Sequence, residues 1–248
     1  MLLKEYINYQ VASVLLEIRG TFKWNEFKAL STLDQKLQYA QQHLKELGRG
    51  SSRAAFLLSN RYVLKIALPQ AAEKGMGQNK GELQVFANTA SKNYVTAIHD
   101  AGEDGHWLVS EIARPLASTE EFQKLTGVPW EQFVSILKNH EDIKSEFSEI
   151  EQGIQMWSRR LKNAQSQGNE AGIDKFTKNV QNLQQRKTNL QKMLNSPVVQ
   201  GALALMNQAG VMRGDILEVD HWGKTADGRV VLLDYGFTED LVDLYRAA

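Results

Sequence analysis

The sequence predicts an α+β protein in which a small lobe with an antiparallel sheet is followed by a long antiparallel pair of helices. Three observations predict it. Short apolar runs separated by turn residues fill residues 53–111, and apolar residues at alternating spacings of three and four run from about 131 to 195. A short hairpin signal, Ala226-Asp227-Gly228, precedes the apolar run RVVLLDY.

The 248 residues suffice for one two-lobed domain or two small ones. Lys+Arg and Asp+Glu both number 29, so no global charge bias points to nucleic acid or an anionic membrane. Cysteine is absent, which excludes disulfides, thiolate catalysis and cysteine zinc sites together. No segment reaches the roughly 18 consecutive apolar residues of a membrane span, and no signal-peptide core is present. A cytoplasmic protein is expected.

The elements follow in order. Leu3, Ile7, Val11, Val14, Leu15 and Ile18 recur at three and four and predict an amphipathic helix over residues 1–20. A second helix is expected over 31–47, with Ser31 and Asp34 as its capping signal and Leu33, Leu37, Ala40, Leu44 and Leu47 as its apolar face. RAAFLLSNRYVLKIAL predicts two strands around a turn at Ser59-Asn60. The glycine-rich stretch EKGMGQNKG is read as a loop that opens a helix over 81–91, and YVTAIHDAGEDGHWLVSEIA adds two strands around Glu103–Gly105. From Phe133 to Ala164 the apolar spacing predicts one continuous helix of roughly 50 Å, with His140 as its polar member. After the breaker QSQGNEAG the pattern resumes at Ile173 and runs to Leu194. Ser196-Pro197 marks a further helix start, with serine as cap and proline in the first turn, and that helix ends at Gly210. The domain division expected is N-terminal helices over 1–47, a lobe over 48–116, and a remainder over 117–248 that contains the helical hairpin.

Four separated pieces carry chemistry. Gly48-Arg49-Gly50-Ser51-Ser52 stands immediately before a strand, and glycines there let backbone approach phosphate oxygens while serine hydroxyls add donors. It is no Walker A motif, because no Lys-Ser/Thr follows the second glycine. Lys65 sits in the apolar run Val63-Leu64-Lys65-Ile66-Ala67 and needs an anionic partner if its head points inward. Glu82, read in the first turn of the helix over 81–91, is the candidate partner. Asp215 follows a helix in Arg213-Gly214-Asp215, and Asp234 ends a buried strand 19 residues later beside Tyr235-Gly236. A strand-end carboxylate next to glycine suits a divalent metal, and a loop carboxylate nearby can accept the proton of a hydroxyl.

With these residues in place, the sequence resembles the protein kinase-like superfamily. GRGSSRAAF resembles its glycine-rich loop, VLKIA its strand lysine, KGELQVF its helix glutamate, and LVSEIARPL its hinge. RGDILEVD resembles the catalytic loop, and LLDYGF the metal-binding DFG motif. The likeness covers roughly residues 44–116 and 196–240. The phrasing is also similar to small kinase-like proteins of tailed bacteriophages, through a Gly-Ser-Ser-Arg turn, a Leu-Lys-Ile-Ala strand and Gln-Asn before the glutamate.

The resemblance implies a minimal two-lobed protein-kinase-like fold, with N-terminal helices and the helical hairpin inserted in a reduced C-lobe. Gly48, Gly50, Ser51 and Ser52 would cover the phosphates of ATP, and Lys65, held by Glu82, would bind the α and β phosphates. Backbone groups around Glu111–Ala113 would receive the adenine. Asp215 would be the catalytic base, and Asp234 would hold Mg2+ together with Asp220, which stands where the family has asparagine. Arg213 replaces the family's histidine. After the DYGF element only TEDLVDLYRAA follows, so nothing in the sequence matches the family's peptide-docking segments. The expected function is ATP- and Mg2+-dependent phosphoryl transfer, to a protein. Alternatives are a pseudokinase that binds nucleotide and engages a partner through its hairpin, and AMP transfer. The resemblance makes a host or viral protein the candidate partner, allows a homodimer through the hairpin, and implies the host cytoplasm if the chain is phage-encoded.

Overall fold

The computed structural model describes residues 22–88, 92–238 and 241–242. The helix expected over residues 1–20 lies outside them. The described residues up to Glu121, together with Gly201 onward, form one compact unit, and Phe122–Gln200 form a second.

The first unit opens with two short helices, α1 (Trp24–Ala29) and α2 (Leu33–His43). The cap of α2 is Thr32 and not Ser31: its hydroxyl accepts from the Gln35 N–H, and the Gln35 side chain accepts from the Thr32 N–H in return. The helix ends at His43, four residues short of the expected end. Lys45–Arg49 instead forms strand β1, because pairing with the next strand claims its backbone. Leu44 still packs against the core, whereas Leu47 is 46% exposed. Lys36 is buried and donates to the carbonyls of Phe27, Lys28 and Leu30, which satisfies the orphaned acceptors at the end of α1. Phe22, Trp24 and Phe27 pack against one another and, with Trp107, form the aromatic part of the core.

The five-stranded antiparallel sheet has the order β1-β2-β3-β5-β4, with β2 at Arg53–Leu57, β3 at Tyr62–Ala67, β4 at Ile98–Ala101 and β5 at Trp107–Glu111. The Ser59-Asn60 turn and the Glu103–Gly105 turn lie where the sequence places them, and Gly105 has φ +79 in the left-handed region. Helix α3 (Ala72–Ala87) packs on β3 and corrects the reading of EKGMGQNKG as a loop. Its glycines serve packing. A Cβ at Gly75 would lie 2.4 Å from the Ser52 carbonyl oxygen, and one at Gly81 would lie 2.4 Å from the carbonyl oxygen of Gly236. The helix therefore lies closer to its neighbours than any side chain allows, which outweighs the helix propensity that glycine gives up.

A second sheet has the order β6-β7-β8, from Ala113–Pro115, Trp222–Thr225 and Val230–Leu232. The parallel bridge Val95↔Leu232 and the Thr96 N–H to Leu232 bond of 3.3 Å tie β8 to the approach of β4. The loop after helix α8 (Pro197–Asn207) is fixed by the bridge Val211↔Thr238 and leads into a single helical turn, α9 (Arg213–Ile216). Gly210, at φ +66, makes the turn between them. Pro197 begins α8 as expected, but the Ser196 hydroxyl makes no hydrogen bond and so does not cap it. Helix α4 (Thr119–Thr126) precedes the second unit's own helices.

In the second unit the seam expected as one helix is broken. α5 (Trp130–Lys138) stops at Asn139, and α6 (Ile143–Ser166) starts after Asp142, because Asn139, His140 and Asp142 are poor helix formers. At 24 residues α6 is about 36 Å long rather than 50 Å. α7 (Glu170–Leu194) runs back along α6 after the Gly168 turn at φ +65. Gly153 lies against Leu183, Trp157 stacks on Phe176, and exposed pairs Arg186–Glu146 and Lys187–Glu151 line the edge.

His99 on β4 is 9% exposed, packs edge-on against Tyr62, and leaves Nδ1 without a partner. Burial, and then the nearby charge of Arg61, lowers its pKa to about 4 from an ordinary 6.5. Between those values the unfolded chain holds the extra proton, so this contribution is complete above pH 6.5 and is lost as pH falls toward 4. We expect His99 to cost the wild type roughly 2 kcal/mol between pH 7 and pH 5. Urea unfolding at the two pH values checks this: His99→Gln should lack that part of the loss.

Candidate nucleotide-binding site

The glycine-rich segment is the tip of the β1–β2 hairpin. The Gly50 N–H donates to the Arg53 carbonyl at 2.9 Å, and a register shift between Glu46 and Gly48 loosens the strand before it. Neither glycine adopts a left-handed φ. A Cβ at Gly48 would meet nothing within 4 Å, and one at Gly50 only the Arg53 carbonyl oxygen at 3.8 Å. The fold itself does not require either glycine. Ser51 is exposed, whereas Ser52 is buried with its hydroxyl 2.5 Å from the Gln78 side-chain oxygen.

Lys65 points inward from β3. Its ammonium lies 2.8 Å from both carboxylate oxygens of Glu82 and donates to the Leu233 carbonyl at 2.9 Å. The predicted partnership is present, but Glu82 sits deep inside α3 and not in a first helical turn, and it is fully buried. A second cation meets it. Arg53 donates to Glu82 at 2.7 Å, to Asn79 at 3.2 Å and to Asp234 at 2.5 Å. Asn79, also fully buried, reaches the Gly105 carbonyl at 2.8 Å and so ties this cluster to the β4–β5 turn.

Asp234 follows β8, and its side chain is half exposed. Burial of its surroundings pushes its pKa upward, but the charges of Arg53, Lys65 and His221 and the Arg53 hydrogen bond outweigh this and leave it below the ordinary value. Asp215 lies in α9. Its pKa rises to about 6, through burial first and the charge of Asp234 second, against the opposing charges of His221 and Arg53. His221 Nδ1 lies 3.0 Å from the Asp215 carbonyl oxygen and 4.0 Å from its carboxylate. Trp222 packs beside it, fully buried, with its indole N–H on the Ile216 carbonyl. Asp220 is exposed and makes no hydrogen bond or ion pair among the described residues.

Two adjoining cavities share Ala55, Lys65 and Leu233. The larger, about 720 Å³, is lined mainly by apolar groups, with Leu47, Ala55 and Val63 facing Ile112, Ala113 and Ala226. Leu47 is exposed because it borders this space. The smaller, about 260 Å³, holds Gly48, Gly50, Ser51, Ser52, Arg53, Lys65, Gln78 and Asp234 at its walls. Backbone groups edge the larger cavity. The Thr225 N–H donates to Arg229 and the Leu116 N–H to Trp222, so ladder alternation turns the N–H and C=O of Ala113 away from β7. The Ile112 N–H donates to Arg61 and the Glu111 N–H to Ala97, which likewise turns the Glu111 backbone away from β3. The Glu111 side chain is held by Arg229 at 2.7 Å.

The structure thus gathers Gly48, Gly50, Ser51, Ser52, Lys65 and Asp234 around one space and sets Glu111 and Ala113 on the adjoining one. Glu82 stands directly behind Lys65; neither Asp215 nor Asp220 lines either cavity, but Asp215 is near enough to Asp234 for that charge to raise its pKa. Arg53, Gln78 and Asn79, which the sequence offers only within the narrower resemblance and without a site role, join the cluster, and an arginine opening an apolar strand right after a glycine-rich turn is a readable signal for it. No group of three or more His, Asp or Glu with metal-ligating spacing occurs among the described residues. That donor set still fits Mg2+, which takes only one or two carboxylates and completes its shell with phosphate oxygens and water.

The contrast between glycines is testable by urea denaturation. Gly81→Ala should lower stability by about 1–3 kcal/mol, because its Cβ collides with backbone. Gly48→Ala should stay within about 0.5 kcal/mol of wild type.

No family model and no curated protein matches the chain. Among solved structures it is similar to the streptomycin–ATP ternary complex of APH(2")-IIa, with 11% identity over 88% of this chain and 73% of that chain at a TM-score of 0.34. It is similar to the GDP and kanamycin complex of APH(2")-IIia, with 12% identity over 86% of this chain and 70% of that chain at a TM-score of 0.36. It is also similar to the GDP complex of wild-type aminoglycoside 2'-phosphotransferase-IIIa, with 13% identity over 93% of this chain and 72% of that chain at a TM-score of 0.34. These neighbours are aminoglycoside phosphotransferases of the protein kinase-like superfamily. At TM-scores below 0.5 the functional reading rests on the chain's own geometry.

Proposed function

We propose that the chain is an ATP- and Mg2+-dependent phosphotransferase of kinase-like fold that acts on a hydroxyl-bearing acceptor, with a protein as the first acceptor to test. The observation that carries this reading is the Lys65–Glu82 pair, set between the open Gly48–Ser52 tip and the half-exposed Asp234, with an apolar cavity adjoining. Adenine offers a donor and an acceptor on adjacent atoms of one edge. The Glu111 C=O, turned away from β3, and the Ala113 N–H, turned away from β7, are complementary to that edge. The Gly48–Ser52 backbone and the Ser51 hydroxyl, together with Lys65, would hold the phosphates. Lys65 is already oriented by Glu82, so little side-chain ordering is left for binding.

Asp234 would hold the metal, whose bound charge neutralises phosphate oxygens during transfer. Asp215 would accept the acceptor hydroxyl's proton. Burial raises its pKa above that of an ordinary carboxylate, which makes it a better base than an exposed aspartate. A second reading, nucleotide binding without transfer, is favoured by one observation. One oxygen of Asp234, the carboxylate that would hold the metal, is already engaged by Arg53.

Purified protein with Mg2+ and γ-labelled ATP should label itself or a component of a cell lysate. Asp234→Ala should abolish the label, and Asp215→Asn should reduce the rate at least about 100-fold. Equal labelling by wild type and Asp234→Ala would sink the phosphotransferase reading. ATP-dependent thermal stabilisation without any label would support the second reading. An adduct of AMP mass on a target would replace phosphate transfer by AMP transfer.

A further inference from the structure

Arg53 is a charged group at the wall of the smaller cavity to which the proposed chemistry assigns no role. It opens β2 directly after the glycine-rich tip, is 9% exposed, and lines the smaller cavity. Glu82 does not need it for neutralisation, since Lys65 already meets both of that carboxylate's oxygens at 2.8 Å. The guanidinium instead spreads its rigid fork across two different carboxylates, with one arm on Glu82 Oε1 at 2.7 Å and the other on Asp234 Oδ1 at 2.5 Å. Asp234 is consequently held by one oxygen, and its Oδ2 makes no hydrogen bond among the described residues.

A second divalent ion on Asp234 would have to share Oδ1 with the guanidinium at contact distance. Like charges so placed in a partly buried site repel strongly. Resting on the nucleotide reading above, we propose that Arg53 is the site's fixed cation. It positions Asp234 through Oδ1 and occupies the place of a second metal, so that nucleotide is taken up with a single divalent ion on Oδ2. Arg53 is in this sense a positioning residue, acting on the metal through Asp234.

The experiment counts ions and does not depend on turnover. The full chain is saturated with a non-hydrolysable ATP analogue and titrated with Mn2+, free ion being followed by electron paramagnetic resonance. Wild type should take up one Mn2+ per chain, and only with nucleotide present. Two ions per wild-type chain would overturn the role given to Arg53 while leaving the nucleotide reading intact. No nucleotide-dependent uptake would overturn the nucleotide reading itself, and this inference with it. Arg53→Gln leaves Glu82 paired with Lys65 and should raise the count from one to two. A folded variant that still binds one ion overturns the assignment, because a purely structural arginine would alter the melting temperature and leave the count unchanged. If circular dichroism shows the variant unfolded, the wild-type count decides.

Discussion

A carboxylate with no exposed surface persists in a fold only where cations meet it, and the first unit of this chain is arranged around one such group. Glu82 receives Lys65 from β3 and Arg53 from β2, so its helix is pinned to two strands by charge as well as by packing. Removing either partner would leave the other to carry the desolvation cost of a buried anion, which is why such clusters act as units. Through Arg53 the same anion also fixes the position of Asp234, and through Lys65 it reaches the Leu233 carbonyl. The strand end carrying Asp234 is thus set by residues distant in sequence, within one network.

That network depends on close approach, and here the glycines matter more than the charged groups. Gly81 and Gly236 face one another, and a Cβ on Gly236 would lie 2.2 Å from the Gln78 carbonyl oxygen. Helix and strand end meet backbone to backbone, which brings Glu82 within hydrogen-bond range of the β2 and β3 cations. A methyl group on either side would collide with backbone and force helix and strand end apart.

Much of this was legible in the sequence because the signals were local. Strand–turn–strand runs at Ser59-Asn60 and Glu103–Gly105 depend on neighbouring residues alone, and the structure places them where expected. The pairing of Lys65 with Glu82 was readable because a lysine inside an apolar run demands an anion. The misreadings were non-local. EKGMGQNKG has the composition of a loop, and only the backbone of Gly236 and the Ser52 carbonyl, far along the chain, explain why it is helix. Leu44 and Leu47 continue the spacing of α2, yet cross-strand pairing takes Lys45–Arg49 into the sheet. The spacing from Phe133 to Ala164 is unbroken although the helix is not, since periodicity registers which side faces inward and is blind to a four-residue interruption. Arg53 was overlooked because its two partners come from separate elements, and no spacing rule links residues 53, 82 and 234.

β1 is exposed at every residue, lies at the sheet edge, and carries an irregular register against β2. Lys45, Glu46 and Arg49 along it discourage a foreign strand from adding to that edge. The same features make it the part of the sheet whose hydrogen bonds cost least to open, because it has no buried side chain of its own to expose to water when it lifts. The wall that borders both cavities is therefore the one that can breathe on its own, while Lys65, Glu82 and Asp234 stay fixed behind it.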